Sequence, residues 1–167
     1  MTVLIAVASK HGATREIAER ISRTLQEAGI DADVRDAAEV DDVARYPAAV
    51  IGSAVYMGGW LEPARDLVRR EQRALAAMPV WLFSSGPLGH PLRPVEVPTD
   101  AVHLAELVSA RGSQVFGGRL DRQDLRVGEK AIVRMVHAPY GDYRPWDEIA
   151  AWGRSIAEAV TAGARTA

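Results

Sequence analysis

The stretch Val3-Leu4-Ile5-Ala6-Val7-Ala8-Ser9-Lys10-His11-Gly12-Ala13-Thr14-Arg15-Glu16 decides the architecture of this chain. Six apolar residues in a row read as a strand covered on both faces, since a strand with one wet face would alternate. The residues that follow are polar and turn at Gly12. From Thr14 the period becomes helical, with Ile17, Ala18, Ile21 and Leu25 on one face and Gly29 as the stop. A buried strand that turns on a glycine into a helix is the opening of a βαβ unit.

The alternation continues along the chain. Residues 32–35 read as a short second strand, 41–45 as a turn or brief helix, and 48–52 as a third, buried strand. A helix over 62–77 follows, with Pro63 suited to its first turn. Residues 80–84 form the fourth strand, 86–98 a Pro- and Gly-rich loop, 100–110 a helix, 114–117 the fifth strand and 145–160 the last helix. Strands alternating with helices predict a parallel sheet with right-handed crossovers. Five strands predict a doubly wound, three-layer α/β fold in the order 2-1-3-4-5. The 167 residues predict one domain, 1–167. Residues 119–144 exceed a normal connection and form an insert between the last strand and the last helix.

Composition narrows the chemistry. The formal net charge is −2, so no strong field favours nucleic acid. The chain has no cysteine, which excludes disulfides, thiolate metal ligands and thiol redox chemistry. Electrons, if the protein handles them, must travel on a cofactor. No apolar run approaches the roughly 20 residues that span a bilayer. Met1 leads straight into the first strand without a basic segment, which predicts no signal peptide and a cytoplasmic location.

In a sheet of this order, ligands bind beyond the carboxyl ends of the strands, between the first and the third. Ser9, Lys10, His11, Gly12, Ala13 and Thr14 occupy that place. The glycine permits close approach of the backbone, and the first helical turn directs unpaired N–H groups at an anion. Ser9 and Thr14 add hydroxyls. Neither the Gly-x-x-x-x-Gly-Lys-Ser/Thr pattern nor Gly-x-Gly-x-x-Gly is present here. The alternative is an ordinary strand-to-helix turn capped by Ser9 or Thr14.

The pattern Ser-x-x-Gly-x-Thr after a first strand resembles the phosphate loop of the flavodoxin superfamily. Two more segments lie where flavodoxins contact the flavin ring: 52–60 after the third strand and 84–90 after the fourth. The resemblance covers nearly the whole chain. Residues 9–16, the 52–58 loop and the insert before Trp146-Asp147-Glu148-Ile149 look most like the branch of flavodoxin-type, quinone-dependent protoporphyrinogen oxidases. It implies FMN as the cofactor, with its phosphate held by Ser9, Lys10, His11, Gly12, Ala13 and Thr14. The ring would be lined by Ser53, Ala54, Val55, Tyr56, Met57 and Gly58, and by Ser84, Ser85, Gly86, Pro87, Leu88 and Gly89. Gly58 or Gly59 would let a peptide turn its carbonyl toward the flavin. Trp60 either packs near the ring or lies under the following helix.

Carrier flavodoxins are strongly acidic and often place an aromatic on the second ring loop. This chain is near neutral, and residues 84–92 hold neither acid nor aromatic. Fewer carboxylates near a reduced, anionic flavin mean less repulsion. Both departures favour a small FMN-dependent oxidoreductase acting on protoporphyrinogen or a similar electron-rich substrate, with a quinone as acceptor. An electron carrier and a deazaflavin-binding protein are the alternatives. In the insert, Arg122, Arg126, Lys130 and Arg134 recur every four residues, a basic stripe if helical, with Leu125, Ile132, Val133 and Val136 largely away from it. Residues 122–136 therefore read either as an interfacial helix making peripheral contact with the inner membrane face, or as a solvated helix over a satellite core. Gly128 in its middle counts against a helix. The four histidines show no metal spacing; His103 sits on a helix, and His90 and His137 are loop candidates for proton transfer. No catalytic residue is assigned.

Overall fold

The computed structural model describes residues 1–86, 97–121, 123, 126, 128–130 and 140–166. Its strands are β1 (Thr2–Ala8), β2 (Asp31–Asp36), β3 (Ala49–Tyr56), β4 (Gly59–Trp60), β5 (Val80–Gly86), β6 (Gly112–Gly117), β7 (Arg119–Leu120) and β8 (Gly141–Asp142). Its helices are α1 (Ala13–Glu27), α2 (Glu62–Arg70), α3 (Gln72–Ala76), α4 (Thr99–Leu107) and α5 (Trp146–Thr166), with a 3-10 turn at Ala37–Glu39.

The main sheet has the path β2-β1-β3-β5-β6, with β4 attached to β3. All pairs along that path are parallel. Counting the parallel strands alone, this is the expected 2-1-3-4-5 order. Each central strand sends alternate side chains to opposite faces. Leu4, Ala6, Ala49, Ile51, Val80 and Leu82 pack with α2, α3 and α4. Val3, Ile5, Val7, Val50, Trp81 and Phe83 pack with α1 and α5. Burial on both faces is why these strands are apolar without alternation. Phe83, Phe116 and Trp152 meet at centroid distances of 5.6–6.2 Å, two of the three pairs edge to face, and tie the sheet to α5.

Two elements differ from the sequence-based expectation. The third strand runs on through Ser53 to Tyr56 and folds back as a hairpin with β4. The helix expected over 62–77 is two helices meeting at Glu71, although no Gly or Pro interrupts it. Arg70 there turns to the Val40 carbonyl and to Glu71. Residues 41–45, read as a turn or a brief helix, hold a turn in which Asp42 accepts the Ala44 N–H at 2.8 Å, and a 3-10 helix precedes it at Ala37–Glu39, where Asp36 accepts the Ala38 N–H at 2.9 Å. The insert is closed at its base by antiparallel β7 and β8, with Arg119 opposite Asp142.

Candidate functional site

The carboxyl ends of β1 and β3 lie side by side, with Ala8 paired to Ser53, and the 9–12 loop leaves the sheet there. Gly12 is the residue before α1 and has φ +83°, the left-handed region that favours glycine. A Cβ at Gly12 would meet nothing within 4 Å, so the requirement is conformational and one side of the turn is open. The Ser9 hydroxyl accepts the Gly12 N–H at 3.1 Å and closes the turn. No side chain caps α1. The N-terminal end of a 15-residue helix thus keeps N–H groups to offer a ligand, with the helix dipole behind them. Thr14 is buried in the first turn, 2% exposed.

Lys10 and His11 do not stand alone at this pole. The Lys10 ammonium pairs with the Glu129 carboxylate, which reaches in from the insert. His11 Nε2 lies 3.6 Å from the other oxygen of Glu129, and the Arg126 N–H donates to that same oxygen at 2.9 Å. The hydrogen bond from Lys10, then the one from the Arg126 backbone, hold the Glu129 carboxyl down at about 2. Glu129 in turn pushes the Lys10 ammonium up. Lys10 Nζ also sits 3.6 Å from the centroid of the Tyr56 ring, a cation–π contact.

A second cluster fixes the insert's neck. The Arg144 side chain is 3% exposed and donates from Nε and Nη2 to Asp142 at 2.8 and 2.7 Å, and from Nη1 to Glu16 at 2.5 Å. Nη1 also reaches the Ala13 carbonyl at 3.3 Å, and the guanidinium lies 4.5 Å from the Trp146 ring. Arg119 adds a contact to Glu16 at 3.1 Å. Arg144 lowers the pKa of both Glu16 and Asp142, chiefly by hydrogen bonding. Both ends of the insert are thus moored to the first turn of α1, beside the loop.

The residues expected to line a ring divide into two groups. Ser53 is fully buried on β3; its hydroxyl accepts the Leu61 N–H at 2.9 Å and donates to the Ala54 carbonyl at 2.8 Å. Ser84 is fully buried on β5 and accepts the Trp60 indole N–H at 2.8 Å. Ser85 and Gly86 end β5, with Gly86 opposite Gly117 of β6. Ala54 and Val55 are half-buried at the end of β3, while Tyr56, Met57 and Gly58 form the exposed tip of the hairpin. Met57 and Gly58 both have positive φ, +53° and +81°. This is the signature of a two-residue I′ turn. Trp60 is 3% exposed and packs with Ala64 and Leu67, which places it in the core below α2. Its backbone N–H donates to Asp100 of α4 at 2.8 Å. Pro87, Leu88, Gly89 and His90 lie outside the described residues, as do His137 and, except for Arg126 and Lys130, the members of the basic stripe and its apolar companions. Among the described helices none is long and apolar enough to cross a membrane.

Glu129 and Arg144 are the residues that inspection of the sequence missed. The stripe of bases drew attention to charge sign and hid an acid that the loop engages. Nothing local marks a pairing between residues so far apart in the chain.

A family described as flavodoxin domain matches residues 4–144. The chain belongs to this family. The flavodoxin match runs from β1 to Arg144 and so takes in the loop, β3, β5 and the insert. Among curated proteins, the chain is similar to protoporphyrinogen IX dehydrogenase [quinone] of Escherichia coli, 23% identical over 172 aligned positions that cover 94% of this chain and 95% of that protein. Among solved structures it resembles a flavodoxin from the domain Archaea, with TM-score 0.63, 17% identity and coverage of 96% and 99% of the two chains. It also resembles rubredoxin oxygen:oxidoreductase of Desulfovibrio gigas, with TM-score 0.67 and 12% identity, covering 96% of this chain and 36% of that one. Membership of the flavodoxin family implies FMN as the cofactor. The pole fits its phosphate: a left-handed glycine, an uncapped helix and a carboxylate already drawn in between Lys10 and His11 all mark an end that attracts anions.

Proposed function

We propose that this flavodoxin-domain protein is an FMN-dependent oxidoreductase that oxidises protoporphyrinogen, or a flat electron-rich substrate like it, with a quinone as acceptor. The observation that carries the redox reading is the uncapped start of α1 behind Gly12 at the β1–β3 switch point. When bound, FMN supplies the hydride chemistry itself. The chain's part is then to hold and orient. Backbone N–H groups of residues 13 and 14 and the Thr14 hydroxyl take the phosphate, while the Tyr56-Met57-Gly58 tip and the end of β5 border the ring.

The substrate reading draws support from the length of the likeness to the Escherichia coli dehydrogenase, which covers nearly all of both chains. A near-neutral charge adds to it, because a carrier that docks on basic partners gains from an acidic surface. The basic stripe of residues 122–136 suits an acidic substrate or an anionic membrane surface where quinones reside. Purified protein loaded with FMN is expected to convert protoporphyrinogen to protoporphyrin in the presence of a quinone, read by porphyrin fluorescence. Absence of turnover, together with one-electron behaviour on stepwise reduction, would move the assignment to an electron carrier.

A further inference from the structure

Lys10 belongs to the loop that holds the phosphate, yet its ammonium is engaged in two other directions. One is Glu129 of the insert; the other is the face of Tyr56, 3.6 Å away, on the ring-side hairpin. Glu129 is fixed from its own side as well, through the Arg126 N–H at 2.9 Å. We infer that Lys10 is a positioning residue: paired with Glu129, it straps the insert across the loop and steadies Tyr56, leaving the phosphate to backbone N–H groups and hydroxyls at the start of α1.

The charge arithmetic favours this division. A phosphate dianion drawn onto Lys10 would come close to the Glu129 carboxylate, and like charges at such range oppose each other. Lys10 cannot satisfy both anions fully. The helix start needs no help from a lysine, because its own donors and dipole already attract an anion. Strapping also matches the neck of the insert, where Arg144 grips Glu16 and the Ala13 carbonyl of the same helical turn. Among the described residues, the insert therefore touches the loop region at its base and at Glu129. Lys10 is the post to which the second is tied.

The inference rests on the flavin reading of the site, and the test separates the two. The full-length protein, stripped of flavin, is titrated with FMN and with riboflavin, which lacks the phosphate, for wild type, Lys10→Met, Glu129→Gln and the double variant. Tryptic cleavage after Arg126 and Lys130 is followed in parallel. Lys10→Met is expected to leave the FMN-to-riboflavin affinity ratio within about threefold of wild type, well short of the about tenfold or more that a lost charge-assisted phosphate bond costs. Both single variants should speed cleavage in the insert to a similar degree, with nothing added in the double variant. A tenfold fall in the ratio for Lys10→Met, or insert cleavage unchanged in both single variants, would overturn the strap. A wild type that binds riboflavin as tightly as FMN would overturn the phosphate site instead. The strap would then stand or fall on the cleavage rates.

Discussion

Single residues carry much of the geometry. Gly52 lies in β3 directly under the Phe83 ring, and a Cβ there would fall 2.1 Å from ring carbons. Phe83 has no room to retreat, being fully buried against Phe116 and Trp152. Gly52→Ala is therefore expected to destabilise the protein by about 1–3 kcal/mol through overpacking, measured by urea unfolding. Met57 offers the opposite case. Its φ of +53° is costly for a methionine, and with 80% exposure its side chain packs little. Met57→Asn would create the Asn-Gly pair that two-residue I′ turns prefer, and should raise stability by up to about 1 kcal/mol in the same assay. Gly12 was legible in the sequence because a glycine after a buried strand has few other reasons to be there. For Trp60 the sequence left two placements open, and it takes the one under the following helix; the partners that decide it, Ser84 and Asp100, come from a different strand and a different helix.

At the scale of elements, the strands and helices of the α/β alternation follow local patterns, which is why their order was readable. The β3–β4 hairpin escaped notice because its turn is Met57-Gly58, not one of the usual Asn-Gly or Asp-Gly signals. The insert was readable as an insert and no further. Its placement depends on ion pairs with α1 and the 9–12 loop, and charges pair across a fold without leaving a period in sequence. Those pairs make a prediction about pH. The Glu129 carboxyl, facing Lys10 and His11, is held at about 2, below its ordinary value of 4.5. A depressed carboxyl contributes stability above its unfolded value and loses it as pH falls through the folded one. The stability advantage of wild type over Glu129→Gln should thus be constant above about pH 5 and vanish between pH 4.5 and 2. Thermal melts across that range check it; an advantage that survives at pH 2 would mean the pair is not what holds the insert. Glu16 and Asp142, lowered by Arg144, weaken the neck in the same acid direction.

For the molecule as a whole, the sheet order, the switch point and the open helix start converge on one place. Seven of the residues read as site candidates from the sequence, Ser9, Lys10, His11, Gly12, Tyr56, Met57 and Gly58, lie in its two turns. The rest are spread over the start of α1 and the ends of β3 and β5, or lie in 87–89 outside the described residues. The loop from which the sequence was read now has a sharper meaning. On the proposed reading the helix start behind Gly12 takes the phosphate, whereas Lys10 pairs with Glu129 of the insert. Whether this place holds FMN can be read by releasing the cofactor from purified protein and weighing it. The expected mass is that of FMN, one per chain. A deazaflavin, or a protein that takes up no FMN when it is supplied, would contradict it.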